Sequence, residues 1–371
     1  IFTTVLSYDR MKERFERVVV FVDYYIDKLK SVIEQNGGIA SAKDFHKAGI
    51  DRLLLYDSLE KRILLKESHG NYILADEQPD EFVPIDVPED ASKLDMVKAA
   101  GIVGMGGAGF PTGIKLGIDL SATEMGEMDA EINPELPADF KIEHGYILIN
   151  AAECEPGLEH NIRQIEEQCD KVITGIKYSM EIAKADKCII AIKKKNQKAI
   201  KTLQAALANE PDITMHLLPD IYPMGEERAV VRECLGVNLT PVQLPSAARS
   251  VVLNLETVAR IAEAIDEKRP CITKNLTVRG KINGGNAAHV FMDVPVGVSV
   301  GEMIERAGGI DGEYGEIIMG GAFTGKSTEL DAPITKTTGG IIVTVEFPDL
   351  HGAKMLSLIH ISEPTRHAQI S

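Results

Sequence analysis

Between residues 146 and 219 short apolar runs alternate with segments whose apolar residues recur every three or four positions. YILIN (146–150), KCIIAIK (187–193) and ITMHLLP (213–219) are the runs. NIRQIEEQCDKVITGIKYSMEIAKA and NQKAIKTLQAALAN are the periodic segments between them. Runs of that length read as buried strands and the helical period as helices, which predicts a parallel sheet covered by helices. GEERAVVRECLG and SVVLNLETVARIAEAI read as two further helical segments. From residue 271 the pattern changes to NLTVRGKI, HVFMDVPVG, a helix over SVGEMIERAGG, then GEIIMGG and GGIIVTVEF. Strand, strand, helix, strand, strand describes a small α+β module, and the fold class expected for the whole is α/β.

The first ninety residues are less patterned. DRMKERFERVVVFVDYYIDKLKSVIEQNGG reads as a helix stopping at Gly-Gly, and KRILLKESHGNYILADEQ as a hairpin turning at His69-Gly70. EFVPIDVPED reads as a linker. A helix over ASKLDMVKAA follows, capped by Asp90 or Ser92 and ended by Gly101. After a polar, acidic loop (122–143) the alternating pattern begins. The partition expected is 1–92, 93–268 and 270–346.

Charge narrows the partners. A net charge of -16 argues against nucleic acid and anionic membrane, which both require basic surface. No apolar run approaches the length of a membrane span, since VVVFVDYY is interrupted by Asp23. Five cysteines, none in a C-x-x-C pair, fit a reducing cytoplasm. No signal peptide is visible, and the chain starts at Ile1. LSLIHISEPTR (356–366) back-translates without a mismatch to a transposase adapter of sequencing libraries. Residues 356–371 are therefore expected to be a cloning artefact, outside the fold.

The glycine-rich stretch GIVGMGGAGFPTGIKL (101–116) satisfies G-x-G-x-x-G between Gly104 and Gly109. A dinucleotide fingerprint of that kind needs a strand before it and an acidic strand end about 20 residues on. Here a helix precedes the glycines and the loop SATEMGEMDAEINP follows, so the Rossmann reading fails. Phosphate binding does not fail with it. Successive glycine N–H groups form an anion nest, the start of the next helix adds positive potential, and Lys115 stands within reach. A purely structural glycine turn is the plain alternative.

NAAECEPGLEHN (150–161) leaves strand YILIN at its carboxyl end, where ligands sit in open α/β sheets. Asn150, Glu153 and Glu155 offer donors and acceptors for hydroxyls or a ring edge. Glu153, Cys154, Glu155 and His160 are metal-ligand types, but no second pair with suitable spacing accompanies them, so no metal is assigned. YPMGEERAV (222–230) places Tyr222, Gly225, Glu226 and Glu227 at a helix start, where acids also serve as caps. LNLETVARIA (253–262), with Asn254, reads as an amphipathic helix.

GMGGAGFPTGIKL, NAAECEPG, YPMGEERA and LNLETVARIA together resemble, in order and spacing, the flavin subunit of respiratory complex I and the Rnf-complex C subunit. AAECEPGLEHN, HLLPDIYPMGEERAVVRE and QLPSAARSVVLNLET resemble most the Rnf C-like branch of proline reductase-associated electron-transfer proteins. The resemblance implies a parallel-sheet FMN-binding domain followed by a β-grasp soluble ligand-binding module. It implies FMN as cofactor, with Gly104, Gly106, Gly107, Gly109 and Lys115 on phosphate and ribityl, and Asn150, Glu153, Gly225, Glu226 and Asn254 along the flavin. Phe110, Glu155, Tyr222 and Glu227 fall on the side of an NADH substrate. No catalytic acid, base or nucleophile is implied, because the flavin carries the chemistry.

The chain departs from the complex I pattern at three places. Ala152 replaces an aspartate that contacts flavin, Leu253 replaces the first of two asparagines, and Ile118 stands where a second aromatic is expected. Rnf C-like chains continue into cysteine motifs for 4Fe–4S clusters, which are expected here only beyond residue 355. The implied partner is a downstream reductase, such as proline reductase, or an Rnf-type complex, with the protein cytoplasmic or peripheral to that complex. Two other readings stay open: a scaffold that has lost flavin through Ala152 and Leu253, and a binding module centred on the β-grasp unit.

Overall fold

In KRILLKESHGNYILADEQ, leucine, isoleucine and tyrosine supply the β-propensity, and the expected hairpin forms. The computed structural model describes residues 28–29, 31–36, 40–50, 55, 64–68, 71–74, 82–137, 139–285 and 287–345. These residues group into two units that divide at Ile85 and Asp86. In the first, β1 (Ala40–Ser41) leads into helix α1 (Ala42–Lys47). β2 (Leu64–Ser68) pairs antiparallel with β3 (Asn71–Leu74), and β1 adds to the far side of β3. The turn at His69-Gly70 lies outside the described residues. So does most of the long helix expected before Gly37, although 28–29 and 31–35 are helical. A small core gathers Leu29, Val32, Ile33, Phe45, Ile50 and Leu55.

The second unit opens with α2 (Lys93–Ala99), where Ser92 Oγ accepts from Asp95 N at 3.2 Å, the capping expected of serine. The glycine loop and the one-turn α3 (Thr112–Lys115) follow. The sheet is built by β4 (Tyr146–Ala151), β5 (Lys187–Lys193), β6 (Ile213–Leu218) and β7 (Ser250–Asn254). Helices α4 (His160–Ala183), α5 (Gln197–Ala206) and α6 (Glu227–Leu235) connect them, and α7 (Leu255–Asp266) leaves the last strand. The strands run parallel in the order β6-β5-β4-β7. Gly175 of α4 lies so close to α7 that a Cβ there would stand 1.7 Å from the Val258 carbonyl oxygen.

Three strands were expected, and the fourth corrects that reading. SVVLN is a strand, and the helix begins only at Leu255. β7 is buried along its first four residues, so it lacks the polar alternation of a surface strand. It also enters α7 through a single capping residue, Asn254, with no glycine or proline between. The correction matters because β7 turns a one-way βαβαβ series into a doubly wound sheet. Chain order reverses between β4 and β7, which makes that crevice the topological switch point.

The β-grasp module comprises β8 (Thr273–Gly280), β9 (His289–Pro295), α8 (Val300–Arg306), β10 (Ile317–Met319), β11 (Lys326–Thr328) and β12 (Gly340–Val343). Its sheet order is β11-β10-β12-β8-β9, with β12 and β8 parallel and the other pairs antiparallel. The core joins Leu276, Val278 and Val343 of the sheet to Val300, Met303 and Ile304 of α8. β11 had no expectation because Lys-Ser-Thr is a short polar edge without an apolar signal.

Helix α7 joins the two sheets through buried charge. Glu256 accepts from Lys274 Nζ, from Asn275 N at 2.7 Å and from Arg260 at 3.3 Å. Arg260 also reaches Glu263 at 2.9 Å and Asp293 at 2.7 Å. Burial alone would lower the Arg260 pKa, but Glu263, Glu256 and Asp293 outweigh it and raise the value.

Candidate functional site

The register sets two asparagines side by side at the switch point. Asn150 closes β4, Asn254 closes β7, and the two are partners in the ladder. Asn254 caps α7, its Oδ1 accepting from Glu256 N at 2.9 Å. Asn150 Nδ2 donates to the Gly225 carbonyl at 2.7 Å, which ties the loop after β6 to the end of β4. Gly225 is needed there because a Cβ would lie 2.8 Å from Cys154 Sγ.

The glycine loop folds over the end of β7. Gly104 N donates to the Phe110 carbonyl at 2.8 Å and Gly109 N to the Gly104 carbonyl at 3.1 Å, closing a tight turn. Met105 N donates to Thr257 Oγ1 at 3.0 Å, anchoring the turn on the first turn of α7. Gly106 sits where a Cβ would come within 3.2 Å of Asn254 Nδ2, and Gly107 takes the left-handed φ of +121°. Among the described residues the N–H groups of Gly106, Gly107 and Ala108 have no hydrogen-bond acceptor. Three successive free donors on a turn without side-chain bulk form an anion-binding concavity. FMN fits this cradle, whose bare backbone a phosphate can approach.

From α3, the Lys115 ammonium meets the Glu227 carboxylate at the start of α6 and the Val252 carbonyl of β7. Glu226 stands at the N-terminus of α6. Its carboxylate accepts from Arg228 N and Ala229 N at 3.0 and 3.1 Å and pairs with the Arg228 guanidinium, so it serves as the cap. Phe110 is 45% exposed beside the loop, an open aromatic face.

Glu153 adopts a left-handed φ of 39°, unusual for a residue with a side chain. Its carboxylate accepts from Asn161 N at 3.1 Å and Asn161 Nδ2 at 2.8 Å. Burial pushes its pKa above the usual carboxylate range, against those two hydrogen bonds. Asn161 Oδ1 accepts in turn from Asn254 Nδ2 at 3.5 Å, so one buried amide links the ends of β4 and β7. His160 lies alongside, with Nδ1 3.4 Å from Thr277 Oγ1 of β8. Burial, with Lys274 second, holds its pKa well below the ordinary imidazole value.

Glu155 and Tyr222 separate from this group. Glu155 accepts from Phe323 N and Thr324 Oγ1 of the β-grasp module, both at 2.8 Å, and Tyr222 meets the Phe323 ring at 4.7 Å between centroids. The same module backs the glycine loop. Lys336 Nζ donates to the Gly101 carbonyl at 2.7 Å, and a Cβ on Gly109 would lie 3.2 Å from Thr337 Cγ2.

Ala152 and Leu253, the two departures nearest the cleft, are both buried. Ala152 packs with Leu148, Leu218 and Met224, so this position belongs to the core. Asn161 and Thr257, inside the quoted motifs but not singled out there, and Phe323 and Thr324, outside them, carry further contacts at the site. Among the described residues no group of three or more His, Cys, Asp and Glu is placed to hold a metal, and no helix is long and apolar enough to cross a membrane.

Comparison with known proteins agrees with this geometry. Residues 97–263 match the Nuo51 FMN-binding domain of the Complex1_51K family. The chain is 36% identical over 249 residues to the cobalamin reductase PduS of Salmonella typhimurium (strain LT2), covering 67% of this chain and 48% of that protein. It is 31% identical over 258 residues to the C subunit of the Na(+)-translocating ferredoxin:NAD(+) oxidoreductase complex of Acetobacterium woodii, covering 69% and 53%. The chain thus spans about half the length of these relatives. An NAD+-reducing NiFe-hydrogenase, crystallised in the air-oxidised state, shares the fold with a TM-score of 0.53 at 22% identity, over 68% of this chain and 46% of that one. With its FMN-binding domain beside a β-grasp module, the chain belongs to the family of complex I flavin subunits and Rnf-complex C subunits.

Proposed function

We propose that the protein is an NADH-oxidising electron-transfer flavoprotein subunit, with FMN held in the cleft between β4 and β7. Electrons leave through iron–sulfur clusters supplied from outside this sequence, toward an Rnf-type complex or a reductase such as proline reductase. The observation that carries the reading is the run of three unpaired N–H groups, Gly106 to Ala108, folded against Asn254 at the switch point. Bound there, FMN supplies the exchange between paired and single electrons.

The chain's own residues have defined tasks in this reading. The glycine N–H groups donate to phosphate oxygens, and Met105 N on Thr257 keeps the loop from closing on itself. Lys115 adds a cation whose present partner, Glu227, is exchanged for the phosphate. Asn254 Nδ2 and the Asn150–Gly225 bond fix the polar edge of the cleft. Phe110 offers a stacking face to the nicotinamide nucleotide. Glu155 and Tyr222 line its approach from the other side.

The test is the visible absorption spectrum of the protein after reconstitution with FMN and removal of free cofactor. Retained flavin bands that bleach on anaerobic addition of NADH support both halves of the proposal. Retained bands without bleaching overturn NADH as donor, and loss of all flavin overturns the cleft as an FMN site, leaving the scaffold reading.

A further inference from the structure

The β-grasp module sends one loop, Gly320-Gly321-Ala322-Phe323-Thr324-Gly325, from β10 to β11. Both strands are three residues long, and β11 is the edge of its sheet, paired with β10 alone among the described strands. The neck of the loop is narrow, with Gly325 N donating to the Gly321 carbonyl at 2.9 Å. At the tip, Phe323 N donates to Glu155 Oε2 and Thr324 Oγ1 to Glu155 Oε1, both at 2.8 Å. Each oxygen of that carboxylate is thus engaged by the loop. The Phe323 ring lies against Tyr222, tilted by 59° at 4.7 Å between centroids.

The fit is close in backbone and loose in side chains. A Cβ on Gly321 would stand 2.1 Å from Glu155 Oε2, so only glycine lets the loop settle on the carboxylate. Ala322, Phe323 and Thr324 are nevertheless exposed, as is Tyr222 beneath them. Hydrogen bonds in that setting exchange readily with water, and a short hairpin at a sheet edge can lift without opening the module's core. One loop therefore occupies, reversibly, two of the groups that face the nicotinamide nucleotide.

We propose that the β10–β11 loop is a strap that gates the nucleotide side of the flavin cleft. With the strap down, Thr324 and the Phe323 backbone hold Glu155, and the Phe323 ring covers Tyr222. With the strap up, a dinucleotide takes both positions, its hydroxyls on the carboxylate and a ring on the tyrosine. The proposal rests on the reading of Glu155 and Tyr222 as the NADH side. NADH then competes with a segment of the same chain, and its apparent affinity scales with the fraction of molecules whose strap is raised.

Anaerobic bleaching of the FMN-loaded full chain, followed against NADH concentration, tests the strap in the parent, Gly321→Ala and Thr324→Val. Gly321→Ala puts a methyl where the Glu155 carboxylate sits, and Thr324→Val removes one hydrogen bond while keeping the side-chain shape. Half-saturating NADH falls about fivefold in each, the weight of one hydrogen bond, a gain that misfolding does not produce. Hydrogen exchange at the Phe323 amide gives a second readout. Without nucleotide it is faster in both variants than in the parent, and in the parent it rises when NADH is added. Half-saturating NADH that is unchanged or raised in the variants, with the parent bleaching, overturns the strap alone. Slower exchange at Phe323 on adding NADH overturns it too, because the loop then closes on the ligand. Absence of bleaching in all three proteins overturns the NADH reading itself, and the strap with it.

Discussion

The first turn of α7 takes part in two regions that treat polar groups in opposite ways. Around Glu256 the carboxylates are paired with cations: Lys274, Asn275 and Arg260 converge on one carboxylate, and Arg260 is shared with Glu263 and Asp293, with only Arg260 Nε and Asn275 Nδ2 of the cluster left without a partner among the described residues. Two residues earlier Asn254 faces a loop whose donors at Gly106, Gly107 and Ala108 are left open among the described residues. The residues that carry these donors are exposed, so the donors are open to whatever enters the cleft. The seam uses its polarity to join two sheets. The cleft keeps its polarity in reserve for a ligand.

The largest expected effect breaks the matched region. Lys274→Met leaves Glu256 buried with its ammonium gone, and removing one partner of a buried pair costs about 3–5 kcal/mol. Urea unfolding measures the loss, and adding Glu256→Gln to the same chain restores part of it, since the amide needs no counter-ion. A double variant as unstable as the single would mean the seam is held by packing alone.

A smaller effect tests the boundary between the regions. His160 touches Thr277 on one side and Asn161 on the other, and its folded pKa lies below the ordinary 6.5. The unfolded chain therefore binds the proton more readily, so this residue makes stability rise with pH up to 6.5 and then level off. The slope is at most about 1.4 kcal/mol per pH unit for one proton. Below that pH, His160→Gln should flatten the stability curve by that amount relative to the parent. Identical slopes in the two proteins would place the histidine in a wetter setting.

The smallest effect probes the open region by itself. Gly106→Ala pushes a methyl toward the Asn254 amide, 3.2 Å away, while leaving the matched seam intact. FMN affinity should fall about fivefold, ~1 kcal/mol, with the unfolding midpoint unchanged. A fall in stability with no change in FMN affinity would reverse the roles given to the two regions.

The motifs made the loops of the site legible, because glycine spacing and clustered polar residues at strand ends are local features. GMGGAGFPTGIKL and NAAECEPGLEHN could be placed from residue order and spacing alone. β7 was not legible, since SVVLN is apolar through its middle and passes into a helix without a break. Asn161 carried no signal because its role depends on Asn254, far away in the chain. Glu226 was legible as a cap, and its hydrogen bonds from Arg228 N and Ala229 N show that role. Lys193 was legible only as the last residue of the strand run KCIIAIK, and only the fold sets it beside Asp220.

Lys274 belongs to the β-grasp module, yet its partner stands two residues from the capping asparagine of the cleft. Thr337 and Lys336 of the same module rest against the glycine loop. The module is therefore a poor candidate for exchange between relatives. A chimera that replaces residues 270–345 inherits a glutamate left with Arg260 alone and an unsupported loop unless the incoming module brings its own lysine and threonine, so a recombination junction placed between the two sheets cuts through a single working part.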